Sequence, residues 1–143
     1  MKGDHDLNRI LANLDASLET GEFVFCSVPE ASYGDVAMLT PICGFLEKEG
    51  LAIIVDVKIA KENGLSFDGV FRKITLNIHT SLNAVGVTAA VARCLTQQNI
   101  PANMVAAYYH DHVFVPSGQA NQALVEIQSL QRKCRVAMNS LVD

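Results

Sequence analysis

The polar groups able to do chemistry collect in one stretch of this 143-residue chain, between Gly69 and Pro116. There the loop His79-Thr80-Ser81-Leu82-Asn83-Ala84-Val85-Gly86 leads into an apolar helical pattern. A helix start carries unpaired N–H groups and partial positive charge, which suit a carboxylate. Thr80, Ser81 and Asn83 would add side-chain hydrogen bonds. Gly86, placed in a first helical turn where alanine would stabilise more, would let a backbone or ligand come close. Capping by Ser81 or Asn83, with Gly86 packed on a strand, accounts for the same residues without a ligand.

The second cluster is His110-Asp111-His112, which holds half of the four histidines. Residues two apart face one side of a regular strand, so with Asp111 and His79 they could bind a divalent metal. The alternative is a tight turn in which Asp111 bonds the backbone and the imidazoles pair with neighbours. Two histidines and a carboxylate are a sparse ligand set, so no metal and no cofactor is expected. GxGxxG, Walker, HExxH and GxSxG signatures are absent from the sequence, and no enzyme is expected. Cys26 beside Ser27 lies in an apolar strand with no histidine near in sequence, and reads as structural.

The elements around these clusters follow from periodicity. A helix capped by Asp6 carries Leu7, Ile10, Leu11 and Leu14, and Gly21 ends that region. Glu22 to Val28 is a strand; Pro29 to Gly34 is a loop, with at most a short helix around Asp35 to Leu39. Pro41 to Glu47 and Leu51 to Val55 form a hairpin across Lys48-Glu49-Gly50, then a short helix runs from Asp56 to Asn63 and stops at Gly64. Val70, Ile74, Leu76 and Ile78 alternate with Phe71, Lys73, Thr75, Asn77 and His79, the pattern of a half-buried strand. A helix from about Leu82 to Gln98 follows, with Ala84, Val87, Val91, Cys94 and Leu95 inward, ended by Asn99 and Pro101. Asn103 to Tyr109 and Val113 to Val115 make a second hairpin across His110-Asp111-His112. Ser117 caps a last helix with Ala120, Ala123, Leu124, Ile127 and Leu130 inward, its stripe reaching towards Leu141. Periodicity leaves Val136 to Val142 open between helix and strand.

These elements repeat in order rather than in sequence, and two βαββα(β) units fit the length. Six strands are clear where two complete units need eight. Val70 to His79 either closes the first unit, opens the second, or is exchanged between them. The expected units are residues 1–66 and 67–143.

Half of the residues are hydrophobic and 18% are charged, a composition that supports a packed core. The net charge of −4 disfavours nucleic acid and anionic lipid. Arg132, Lys133 and Arg135 read as a solvated helix end. The N-terminus shows no secretory signal, and no apolar run spans a membrane. Cys26, Cys43, Cys94 and Cys134 lack CxxC spacing and fall in apolar patterns, as reduced buried thiols do, so a cytoplasmic protein is expected.

The stretches EFVFCSVP, FLEKEGLAIIV, GVFRKITLNIHTSLNAVGVTAAVA and YYHDHVFVP resemble a bacterial family of small stand-alone proteins with two ACT-like units and no assigned function. The likeness runs from about Asp6 to Leu130. The strand, polar loop and glycine-bearing helix start resemble ACT domains at large, and the architecture is similar to tandem-ACT arginine sensors of eukaryotes. The resemblance implies an α+β fold of two ferredoxin-like βαββαβ units, antiparallel sheets with helices on one face, and a homodimer. It implies noncatalytic, regulatory binding of a small molecule, an amino acid, with an unidentified regulated protein. The implied site is Thr80 to Gly86, with Asn83 and Gly86 in the family's polar-then-glycine positions. The usual Asp-x-Pro-Gly reads Asn83-Ala84-Val85-Gly86 here. His79, Thr80, Ser81, Leu82, Asn83, Val85 and Gly86 are thus the expected ligand residues, with Asp111 opposite the ligand's amino group. The competing expectations are an assembly module without ligand and a metal-dependent enzyme using His79, His110, Asp111 and His112.

Overall fold

The computed structural model describes residues 2–140, with side chains from Leu7 onward. Leu141 and Val142, at the end of the last stripe, lie outside them. In chain order the elements are α1 (Lys2–Ala12), β1 (Ala16–Leu18), β2 (Phe23–Val28), a 3-10 turn at Gly34–Leu39, β3 (Cys43–Glu47), β4 (Gly50–Asp56), α2 (Val57–Glu62), β5 (Phe71–Leu76), α3 (Val87–Thr96), β6 (Asn103–Ala106), β7 (Asp111–Pro116), a 3-10 turn at Ser117–Gln119, and α4 (Ala120–Ser140). The fold is α+β, and every strand pair whose register is described is antiparallel. Two compact units divide it. One is Thr20–Phe71; the other takes the chain up to Glu19 and again from Arg72 onward.

The Thr20–Phe71 unit orders its strands β3-β4-β2. Alternation along β2 buries Val24 and Cys26, and β4 buries Leu51, Ile53 and Val55 beside them. Val36 and Ala60 close this core. The Asp56 carboxylate accepts the Lys58 N–H at 2.8 Å and caps α2, satisfying one of the donors a helix start leaves open. At the hairpin, Gly50 has φ +150°, and a Cβ there would stand 2.8 Å from the Val28 carbonyl oxygen, so only glycine fits. Phe71 pairs with Phe23 and sets its ring edge against Phe25, 5.1 Å between centroids.

The other unit pairs β1 with β5 and β6 with β7, and β5 is hydrogen-bonded to β7. Its core joins Leu11 and Leu14 to Ile74 and Leu76 of β5, Val87, Val91 and Leu95 of α3, Val113 and Val115 of β7, and Ala123 and Ile127 of α4. Each large side chain buried there stabilises the fold by about 1.5–3 kcal/mol. The long helix α4 also ties down the N-terminal segment: Gln131 accepts the Asp15 N–H at 3.1 Å, and the Arg135 guanidinium donates to the Ala12 carbonyl at 2.9 Å.

Several boundaries differ from the sequence reading, each for a local reason. α1 is already helical at Lys2, so Asp6 lies inside it. β1 has three residues, too few to show alternation. α3 begins at Val87 rather than Leu82, leaving Ala84 exposed, because Ser81 turns the chain and Gly86 takes φ +100°. The second hairpin turns at Ala107-Tyr108-Tyr109-His110, where the Ala107 N–H donates to the His110 carbonyl at 3.0 Å. Asp111 and His112 are strand residues opposite Ala106 and Val105. The stretch from Val136 to Ser140 is helix.

Candidate functional site

The loop and the histidines meet at one end of the discontinuous unit. β5 ends at Leu76, and the chain stays tied to the N-terminal segment for two more residues: the Asn77 N–H bonds the Asp15 carbonyl and the Ile78 N–H the Leu14 carbonyl. The Asn77 amide adds bonds to the Asp15 carbonyl at 2.7 Å and the Ser17 hydroxyl at 2.8 Å. Beyond Ile78 the chain leaves the core. His79 is exposed, Thr80 half-buried, and Ser81 to Val85 exposed, with Leu82 68% and Val85 87% accessible.

Within the loop, the Ser81 hydroxyl accepts the Asn83 N–H at 3.1 Å and its carbonyl accepts the Ala84 N–H at 3.0 Å. Ser81 therefore closes a turn and does not cap α3. The N-cap of α3 is Gly86, which has no side chain to give. The first N–H groups of α3, those of Val87, Thr88 and Ala89, have no intrahelical acceptor, while the Ala90 N–H reaches the Gly86 carbonyl at 2.9 Å. What comes close to the Gly86 Cα is not a strand but Leu7 of α1: a Cβ would stand 2.9 Å from its Cδ2.

The histidines divide. His112 lies in β7 with its Nδ1 3.0 Å from the Thr75 hydroxyl, and Thr75 is the one buried polar side chain among the described residues. Burial lowers the His112 pKa, with Lys73 and His110 pushing the same way against Asp111 and Glu19. His110 instead sits in the turn with its ring 4.9 Å from His79, edge to face. His79 also meets Tyr109 at 5.4 Å, and Tyr109 meets Tyr108 at 4.9 Å. His79, His110 and loop residues 80–86 thus share one end of this unit, and His112 faces Thr75. Asp111, half-buried at the start of β7, adjoins this end. Among the described residues no group of three or more His, Cys, Asp or Glu is placed to hold a metal ion. The sequence reading missed Tyr108 and Tyr109, which it placed in a strand; the signal was a pair of bulky aromatics directly before a histidine turn.

Two shallow cavities lie elsewhere on the unit, one of about 300 Å3 lined by Ser129, Arg132, Lys133 and Val136, the other of about 220 Å3 lined by Thr96, Asn99, Ile100 and Pro101. Burial raises the thiol pKa values of Cys26, Cys94 and Cys134, which suits structural thiols rather than nucleophiles. No helix among the described residues is long and apolar enough to cross a membrane.

Comparison with known proteins identifies the family and the fold. Family models for the ACT domain match residues 2–72 and 67–125. A Vibrio cholerae protein of unknown function, described as a possible transport protein, is 38% identical over 90% of this chain and 98% of its own, with a TM-score of 0.83. The chain belongs to the ACT-domain family. As a tandem ACT protein it shares its fold with an Agrobacterium tumefaciens protein (TM-score 0.64, 13% identity, 81% of this chain and 87% of the other). It shares it also with the regulatory subunit of aspartate kinase from Thermus flavus (TM-score 0.56, 10% identity, 80% of this chain and 95% of that subunit). No curated protein matches the sequence. Membership of the ACT family places the chain among regulatory modules.

Proposed function

We propose that this ACT protein is a noncatalytic regulator that binds an amino acid at the loop between β5 and α3. The observation that carries the reading is the start of α3: a helix N-terminus without a side-chain cap, opening on an exposed loop of hydroxyl and amide groups. The ligand carboxylate sits on the N–H groups of Val87, Thr88 and Ala89, whose partial positive charge it neutralises. Thr80, Ser81 and Asn83 add polar contacts, His79, Leu82 and Val85 flank them, and Gly86 sets the direction of the helix. Asp111, across a homodimer interface, takes the ligand's amino group. Binding then biases an assembly equilibrium that a regulated partner reads. Along the sequence the two ACT repeats are placed at residues 1–66 and 67–143, supported by the family matches at 2–72 and 67–125, although the compact units cut the chain differently, residues up to Glu19 grouping with those from Arg72 onward. The protein works in the cytoplasm, needs no cofactor, and binds neither nucleic acid nor membrane.

A thermal-shift screen against the twenty amino acids tests this. A ligand at one hundred times its Kd adds about 2.7 kcal/mol, several degrees for a protein of this size. The reading fails if no amino acid shifts the transition. Thr88→Asp, at an exposed first-turn position, favours the helix and opposes an anionic ligand. It should abolish the shift with folding intact, and retained affinity would put the site elsewhere.

A second reading, an assembly module without ligand, is favoured by β3. Among the described strands it pairs only with β4, and it exposes both Phe45 and Leu46. An open edge with apolar side chains is a template for another chain. Under that reading Phe45→Asp changes the sedimentation coefficient, and no amino acid shifts the melting transition.

A further inference from the structure

The turn between β6 and β7 exposes more aromatic surface than its geometry needs. The Ala107 to His110 hydrogen bond closes the turn through backbone atoms alone, and small polar residues would serve at the two corner positions. Instead Tyr108 and Tyr109 stand there, 78% and 61% accessible. The two rings meet edge to face, and that of Tyr109 also meets His79, which opens the loop leading to α3. His110 extends the ring cluster, and Leu82 and Val85 add exposed apolar surface on the same loop. Large aromatic side chains left accessible are suited to a ligand surface, because each offers wide contact area with only two torsions to fix on binding.

We infer that this ring cluster receives the side chain of the ligand, and that the ligand is an aromatic amino acid. The inference rests on the reading that the β5–α3 loop binds an amino acid, and adds the class. Flat neutral rings stack, or meet edge to face, on tyrosine and histidine. An acidic side chain would lie beside Asp111. An aliphatic one forgoes the ring geometry.

The chain contains no tryptophan and only three tyrosines, which makes the test direct. In a Tyr33→Phe background the remaining tyrosines are Tyr108 and Tyr109. L-Tryptophan added to that protein should then show energy transfer from tyrosine and a rise in its own anisotropy. Phenylalanine should compete, and leucine and arginine should bind at least tenfold more weakly. Tyr109→Ala should weaken tryptophan roughly three- to tenfold, and Tyr109→Phe should restore it. Urea midpoints equal to that of the parent show that these variants still fold. If the screen finds a non-aromatic amino acid and tryptophan fails, the aromatic class is wrong while the amino-acid reading stands. Should no amino acid bind at all, both fall. Unchanged tryptophan affinity in Tyr109→Ala overturns the inference. So does a change of sedimentation coefficient in Tyr109→Ala with no change in ligand affinity, which would make the rings a protein contact.

Discussion

Two regions of the discontinuous unit use the same residue types to opposite ends. Along β5 and β7, the buried Thr75 and the half-buried His112 satisfy one another 3.0 Å apart. At the end of those strands, His79 and His110 also meet, with Tyr109 beside them, but they stand with an exposed loop and an exposed turn. His110 and His112 are two residues apart and differ in whether the ladder holds them. Both are half-buried, so what separates them is the hydrogen bond: His112 is held by Thr75, whereas His110 meets the exposed His79 through ring contact.

The contrast can be broken by substitution. Thr75→Val keeps the shape and removes the hydroxyl, leaving the His112 Nδ1 without its partner. A loss of about 1–3 kcal/mol by urea denaturation is expected, and no loss would make the pair incidental. Gly86→Ala forces a side chain into φ +100°, at about 1–2 kcal/mol, while the tip of Leu7 gives way. Equal stability would mean that the loop relaxes freely.

The pH dependence should be gentler. His112 has a folded pKa below its ordinary value, so the unfolded chain binds the proton more readily. Its contribution is complete above about pH 6.5 and is lost as pH falls through the range below it. His112→Gln should flatten that part of the stability curve, and an unchanged slope would place the titration elsewhere. Smallest of all, Tyr108→Ser at the exposed end should move stability by less than about 0.5 kcal/mol. A larger loss would mean the ring cluster belongs to the core.

The sequence was legible where one local rule governs. The glycine at Gly50 and the left-handed Asn99 stand in the structure as their residue types imply, and Ile74 and Leu76 are inward as read, although Thr75 between them is buried too, so β5 is not open to water on its other face there. It misled where two rules compete. Tyr108 and Tyr109 are strand formers, so the hairpin was read three residues late although the turn sits on them. Ser81 and Asn83 carry the signature of a helix cap, one of the two accounts their residue types allow, while the Ser81 hydroxyl serves a turn five residues ahead of Gly86. The packing of Leu7 against Gly86 and the hold of α4 on the first residues join distant parts of the chain, which no local pattern displays.

That last arrangement bears on how the molecule is made. Residues 20–71 emerge from the ribosome as an uninterrupted block and can condense while synthesis continues. The first helix and strand must wait, their apolar faces uncovered, until β5, α3, β7 and most of α4 have been translated, because those elements supply the rest of their core. Sequence-distant closure of this kind slows folding. The segment from Leu7 to Leu18 is therefore exposed to aggregation for the longest interval of synthesis. Holding Leu11 and Leu14 soluble until the final helix arrives becomes a task for the cell rather than for the fold.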